Sequence, residues 1–353
     1  MKFSPHFFWR CSVKKLIAIL ILLLSVSPLI FGEMVKREKS KPAHTYSIVA
    51  RDPDTGQLGV AVQSHWFSVG AVVPWVEAGV GAVATQSFVE VSYGPLGLDL
   101  MRAGKSAPEA LKALLEVDQK KEVRQVAMID SQGQVAIHTG ESCISEAGHV
   151  TGHQFSVQAN LMLKGTVPEA MAKAYRSTQG DFIDKLLAAL EAAENEGGDI
   201  RGRQSAAIVV VNGKPTGQAW KDRIIDLRVE DHPQPVQELK RLVKVHRAYE
   251  HMNKGDEYLA EGDVEGALRE YSTAEQMTPD NMEMVFWHAV TLAGLDRVEE
   301  ALPLFRKVFE ADYNWAILLP RLPKAVLLPD KPELIERILS VAPKKKQNGK
   351  TIF

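Results

Sequence analysis

The chain is poor in cysteine, with two in 353 residues, Cys11 and Cys143. Cys11 falls in an amino-terminal apolar segment, so a processed chain would keep Cys143 alone. That excludes an intramolecular disulfide, a CxxC redox pair and a thiolate zinc site. An excess of charge of either sign is lacking too. Lys and Arg number 42 against 44 Asp and Glu, for a net charge of -2, so no nucleic-acid partner is expected on electrostatic grounds. The one basic run, Lys344-Lys345-Lys346, reads as a solvated tail. Phosphate-cradling motifs are missing: there is no Walker loop or dinucleotide fingerprint, and Gly79-Val80-Gly81 reads as a strand turn. There is no GxSxG elbow and no HExxH, and His138, His149 and His153 lack helical i, i+4 spacing. Neither an α/β-hydrolase, a metal site nor a bound cofactor is therefore expected.

What is present begins with an export signal. Arg10, Lys14 and Lys15 precede the apolar run Leu16 to Phe31, broken by Ser25, Ser27 and Pro28. At 16 residues the run suits a signal core better than a membrane-spanning helix, which needs roughly 20. The reading is a signal over 1–32, cleaved after Gly32 or retained as an anchor, and a polar linker over 33–44. The protein is then periplasmic or extracellular.

Strand signals follow in quick succession: Thr45 to Arg51, Leu58 to Ser64, Ala71 to Trp75 and Val80 to Thr85. The apolar period then changes to helical over Gly94 to Ala103 and Ala107 to Val117. Ser106 with Glu109 three residues on, and Pro108 in the first turn, forms a capping box. Strands return at Glu122 to Asp130, Gln134 to His138 and His149 to Val157. Helices over Val167 to Arg176 and Phe182 to Ala193 come next, then strands Ser205 to Val211 and Ile224 to Val229. Runs of strands separated by helix pairs argue for two sheets with helices outside, a four-layer α-β-β-α sandwich over 45–235. Near-continuous apolar strands suit sheets covered on both faces.

After His232-Pro233-Gln234-Pro235 the sequence is helical, and 236–342 reads as a second, all-α domain ahead of a basic tail over 343–353. Gly255, Tyr258, Ala267, Tyr271, Ala274 and Pro279 fall at the spacing of a 34-residue tetratricopeptide repeat, and Ala289, Leu292, Ala301 and Phe305 at matching offsets in the next stretch. Such a helical array is either a structural add-on or a groove for a protein partner. A homo-oligomer is compatible with the weakly charged strands.

Between Thr45 and about Pro235 the chain resembles the bacterial and archaeal family known as domain of unknown function 1028. The resemblance is carried by Tyr46 to Asp52, Gly59 to Ser64, Ala78 to Gln86, Tyr93-Gly94-Pro95, His138-Thr139-Gly140 and Gly197 to Ala206. It implies the amino-terminal-nucleophile (Ntn) hydrolase fold, in which a chain-terminal Thr, Ser or Cys attacks an amide and its own α-amine is the base. Some members are fused to cell-wall-binding modules, which makes cell-wall peptide one candidate substrate.

Thr45 stands where that nucleophile would be, with Ser47 the next hydroxyl on its strand. His44 precedes it, so a second cleavage is needed to free its amine. The customary acid and lysine are absent: Gln63 holds the acid's place, and the first lysine after Thr45 is Lys105. A second cluster, Gly197 to Ser205, surrounds Asp199, Arg201 and Arg203 with glycines at the entrance to a strand, with Gln204 and Ser205 following. It suits an anionic ligand, since a guanidinium fork matches a carboxylate, or else an internal Asp–Arg pair that fixes the loop. A third group sets Gln63, Ser64 and His65 beside Thr85 and Gln86, if the two strands pair, with His65 as a candidate base. The expected function is hydrolysis of an amide in a small or peptidic substrate. The alternative is a non-catalytic binding or scaffold protein.

Overall fold

A computed structural model describes residues 45–344. The export signal, the linker and most of the basic tail lie outside the described residues. Ten strands and ten α-helices follow the predicted alternation among those residues. In chain order they are β1 (Thr45–Arg51), β2 (Leu58–Ser64), β3 (Pro74–Glu77), β4 (Gly81–Ser87), α1 (Tyr93–Arg102), α2 (Ala107–Val117), β5 (Arg124–Asp130) and β6 (Val135–Thr139). Then come β7 (Gly148–Gly152), β8 (Phe155–Ala159), α3 (Val167–Ser177), α4 (Phe182–Glu196), β9 (Ser205–Val211) and β10 (Arg223–Val229). The helical part comprises α5 (Pro235–Glu261), α6 (Val264–Met277), α7 (Met282–Gly294), α8 (Val298–Ala311), α9 (Asn314–Leu318) and α10 (Pro332–Leu339).

The strands form two sheets, β10-β9-β2-β1-β8-β7 and β3-β4-β5-β6, and every pairing is antiparallel. Side chains of a strand alternate between faces, and the burial follows. Val49, Val60, Val62 and Ala207 meet Ala82, Ala84, Ala127 and Ile129 between the sheets. Ile48, Ala61, Val157 and Ile208 pack outward against Val167, Met171, Leu186 and Leu190 of α3 and α4. Val83, Val126 and Met128 pack against Leu98 and Met101 of α1 and Ala110 and Leu111 of α2. The order is helices, sheet, sheet, helices. Each fully buried Val, Ile or Leu contributes about 1.5–3 kcal/mol of apolar transfer, which is why the middle strands are apolar throughout.

Two local readings change. The segment expected as one strand over His149 to Val157 is a hairpin, β7 and β8, turning at His153 and Gln154, the latter at φ 59°. Residues Val69–Ala71 form a short 3-10 turn, so the third strand starts at Pro74. Proline without an N–H is tolerated there because β3 is an edge strand. The capping box on α2 is as expected: Ser106 N–H donates to Glu109 Oε2 at 2.8 Å and Glu109 N–H returns to Ser106 Oγ.

A short loop over 230–234 leads from β10 into one continuous helix that serves both the sheet core and the helical part. The 27-residue α5 places Val236, Leu239 and Val243 in the core of the six-stranded sheet, and Ala248 and Met252 in the core of the helical array. The leading helix expected to end near Tyr249 runs on to Glu261. In the array, Tyr271 fills the space over Gly255, where an added Cβ would lie 2.5 Å from its ring. Ala267, Ala274, Ala289, Leu292, Ala301 and Phe305 are all buried.

Candidate functional site

β1 and β2 are the two middle strands of the six-stranded sheet, and at one end their pairing aligns three hydroxyl residues. Thr45 lies opposite Ser64, and Ser64 opposite Ser205 of β9. Partners in an antiparallel ladder share a face. For β1 the inter-sheet face is fixed by Ser47, whose hydroxyl reaches Gln86 of the other sheet. Thr45, Ser64 and Ser205 therefore form a buried row facing the second sheet. Ser205 Oγ accepts from Val69 N–H at 3.0 Å and donates to the Trp66 carbonyl, which ties down the chain leaving β2.

Behind this row lies a connected set of polar side chains, buried at Ser47, Gln86, Gln125, Gln158 and Asn160 and reaching the surface through Thr139 and His149. Ser47 donates to Gln86 Oε1 at 2.6 Å and accepts from Gln158 Nε2 at 2.6 Å. Gln86 Nε2 then faces three acceptors, Gln125 Oε1 at 2.7 Å, the Thr45 carbonyl at 3.1 Å and the Gln158 carbonyl at 3.4 Å. Asn160 donates to Gln125 Oε1 at 2.9 Å and, from its backbone N–H, to the Thr45 carbonyl at 3.1 Å. Gln125 Nε2 donates to Thr139 Oγ1 at 3.0 Å, and Thr139 Oγ1 lies 2.9 Å from His149 Nδ1. The Thr139 hydroxyl carries one hydrogen and two lone pairs, so its role toward His149 follows the imidazole tautomer. Burial, and then neighbouring His138, press the His149 pKa below its ordinary value. Unpaired polar groups in such a place cost about 1–3 kcal/mol each, so the completeness of the set is what lets it lie between the sheets.

The opposite face of the same strand ends carries different chemistry. Tyr46, opposite Gln63 in the ladder, sends its phenol to Glu194 near the end of α4. Glu194 also pairs with Arg203 Nε. Burial, and then the Glu194 carboxylate, hold the Tyr46 phenol protonated well above its ordinary range. Asp199 is fully enclosed and takes Arg201 Nε at 3.0 Å and its terminal nitrogen at 2.7 Å, with the His65 N–H at 3.2 Å. Gly197, Gly198 and Gly202 have φ of 127°, 60° and 108°, a region that favours glycine. They turn the loop around a cavity of about 310 Å3 lined by Glu194, Gly198, Asp199, Gly202, Arg203 and Pro233.

The expected site residues thus divide between two faces. Thr45, Ser47, Ser64, Gln86 and Ser205 meet between the sheets, whereas Gln63, His65, Asp199, Arg201 and Arg203 gather on the outer side. The proposed pairing of the strands carrying Ser64 and Gln86 does not occur: β2 and β4 belong to different sheets and face one another across the sandwich. Thr85 points away from that space, its hydroxyl donating to the Glu90 carbonyl at 3.0 Å. The carbonyl of Gln204 accepts from His232 N–H at 2.7 Å. Of the two Asp–Arg pairs considered, Asp199–Arg201 forms, while Arg203 goes to Glu194. Sequence reasoning missed Gln125, Gln158, Asn160, Tyr46 and Glu194. Gln125 and Gln158 had a usable signal, a polar residue among apolar neighbours in a strand, and Asn160 follows Gln158 by two residues, just past the end of β8. Glu194 had none, since it is one acid among several on α4. Among the described residues no group of three His, Cys, Asp or Glu is placed to hold a metal ion.

Fold and site define a mixed α+β protein of stacked antiparallel sheets with a polar strand-end site. Residues 45–239 match the family of unknown function DUF1028, and the chain belongs to that family. It is 30% identical to protein SPO2555 from Silicibacter pomeroyi, of the same family; the match covers 57% of this chain and 85% of that one, with a TM-score of 0.51. A likeness to Anbu (ancestral beta-subunit) from Yersinia bercovieri has 8% identity, covers 56% of this chain and 92% of that one, and has a TM-score of 0.29. No curated protein matches the chain.

Proposed function

We propose that the chain is an exported amide hydrolase of the Ntn type, acting on a small or peptidic substrate. Thr45 is the nucleophile once the residues before it are removed. The carrying observation is its position, at the first residue of a middle strand, on the inter-sheet face, in a row with Ser64 and Ser205. A threonine hydroxyl needs a base, and a freed α-amine titrating near ~8 supplies one at working pH. Residues 45–235 then carry the Ntn-type sandwich. Residues 236–342 form a tetratricopeptide-type array, with the Gly255–Tyr271 contact supporting the repeat and the array serving a protein partner.

The test is amino-terminal sequencing of the protein from its native host, with assay of Thr45→Ala on amide substrates. The expected result is a chain beginning at Thr45 and loss of hydrolysis in the variant. A mature chain beginning near Glu33, or normal turnover by the variant, removes Thr45 as nucleophile.

A second reading, a non-catalytic binding protein, draws on one observation. The side chains hydrogen-bonded to Ser47 and to the Thr45 carbonyl are neutral amides, and the acid and lysine customary beside such a nucleophile are missing from the sequence. The same terminal sequencing separates the two readings.

A further inference from the structure

The helical array holds a cavity of about 840 Å3, toward the upper end of the roughly 300–1,000 Å3 typical of ligand sites. Its walls are α5, α7 and the segment Val326 to Pro329 ahead of α10. Met252, Leu259, Trp287, Val290 and Leu328 make much of that wall apolar. Among the described residues lining it, the charged ones are Asp256 and Glu283, and no lysine or arginine joins them. Both carboxylates meet neutral donors. Asp256 accepts from the Tyr271 hydroxyl at 2.6 Å and Glu283 from the Tyr249 hydroxyl at 2.5 Å. Val326 and Leu327 in the same wall are 91% and 51% exposed, and Val326 has φ 61°. A β-branched residue in that region is strained, and such strain gathers at ligand clamps. Two apolar side chains held out beside an apolar cavity leave a surface in want of a cover.

We propose that this cavity is covered by residues 345–353 of the same chain, the segment that composition alone reads as a solvated tail. The segment carries Lys345, Lys346 and Lys350 with no acid, and then Ile352 and Phe353. Its lysines complement Asp256 and Glu283, and its apolar pair matches the wall of Trp287, Val290 and Leu328. It also starts close by. Val341 and Ala342 pack on the core of the array, so the segment departs from the array itself. Nine extended residues reach about 30 Å. The eight-residue α10, which lies between the cavity wall and that point of departure, is only about 12 Å long. Exposed ion pairs are weak by themselves, but a short tether presents the segment at a roughly millimolar effective concentration. The inference rests on the cavity and not on Thr45. A protein partner of the array would have to displace the segment.

The test compares the full chain with one ending at Lys344, which keeps every described residue. The probe is a fluorescently labelled peptide of residues 345–353, titrated by anisotropy at low salt. The expected result is saturable binding to the shortened chain. Binding to the full chain should be weaker by about tenfold or more, because its own tethered segment holds the cavity. A peptide carrying Lys345→Gln, Lys346→Gln and Lys350→Gln should bind the shortened chain about tenfold more weakly, and so should one carrying Ile352→Ser and Phe353→Ser. Asp256→Asn with Glu283→Gln in the shortened chain should weaken binding likewise, while keeping acceptors for the Tyr271 and Tyr249 hydroxyls. The proposal is overturned if the peptide does not bind the shortened chain, or binds both chains equally. It is overturned too if the peptide without lysines binds as well as the native one. Sedimentation showing a dimeric full chain and a monomeric shortened one also overturns it, because the segment then lies on a second copy. None of these outcomes bears on the Thr45 reading, which rests on terminal sequencing.

Discussion

Ser47 of β1 donates its hydroxyl hydrogen to Gln86 of β4 at 2.6 Å, a buried side-chain bond that joins the two sheets where apolar packing alone would be expected. It sets the direction of the Gln86 amide, and hence which atoms face Thr45. Gln86→Leu would leave the Ser47 hydroxyl hydrogen without its acceptor, leave Gln125 Oε1 with Asn160 as its remaining donor, and weaken the set of bonds on the Thr45 carbonyl. The expected loss is roughly 2–4 kcal/mol in urea unfolding, with Ser47→Ala costing about 1–2 kcal/mol. Non-additivity in the double variant measures how far the two act as one unit.

His149 gives the network a pH dependence whose sign is fixed. Its folded pKa is lowered by burial and by His138, so the unfolded chain binds more protons wherever the two states differ. Stability from this group is complete above the unfolded value, about 6.5, and falls as pH drops from there toward the lower folded value. Unfolding curves between pH 7.5 and roughly 5 should show a decline that His149→Gln reduces.

Two glycines of the helical array should respond oppositely to alanine. At Gly255 the new methyl would meet the Tyr271 ring at 2.5 Å, and overpacking of that kind costs about 1–3 kcal/mol. At Gly294, the last residue of α7, nothing lies within 4 Å, and Ala there should stabilise by about 0.4–1 kcal/mol. Thermal unfolding of the two variants checks the pair.

Leu239 belongs to the long helix α5 yet is buried in the sheet core. Leu239→Ala is expected to cost about 2–5 kcal/mol and to speed amide exchange in β9 and β10 as well as in α5. Exchange confined to the helix would mean that α5 does not brace the sheet.

Much of this architecture was legible along the chain. The change from period-two to helical patterning located both helix pairs, and the alternation of blocks gave the layer order, because a sheet covered on both faces must be apolar on both. The β7–β8 hairpin was read as one strand because its two central turn residues, His153 and Gln154, are neither glycine nor proline, while Gly152 before them pairs within the ladder. The join at Pro235 looked like a boundary since proline usually marks one. Here it occupies the first turn of a helix, where the missing N–H costs nothing.

Within the site, the sequence by itself determined which chemistry was on offer: the Thr45 hydroxyl, the acid and two arginines among glycines, and the absence of a thiolate centre. Tertiary structure alone decided which groups meet. Residues adjacent in sequence on a strand point to opposite faces, so Thr45 and Tyr46 belong to different environments, as do Gln63 and Ser64. Sheet register and the stacking of the two sheets then brought Gln86, Gln125, Gln158 and Asn160 together behind Thr45, and the end of α4 set Glu194 between Tyr46 and Arg203. Those are long-range pairings, fixed by how the layers pack rather than by any local preference of the residues that make them.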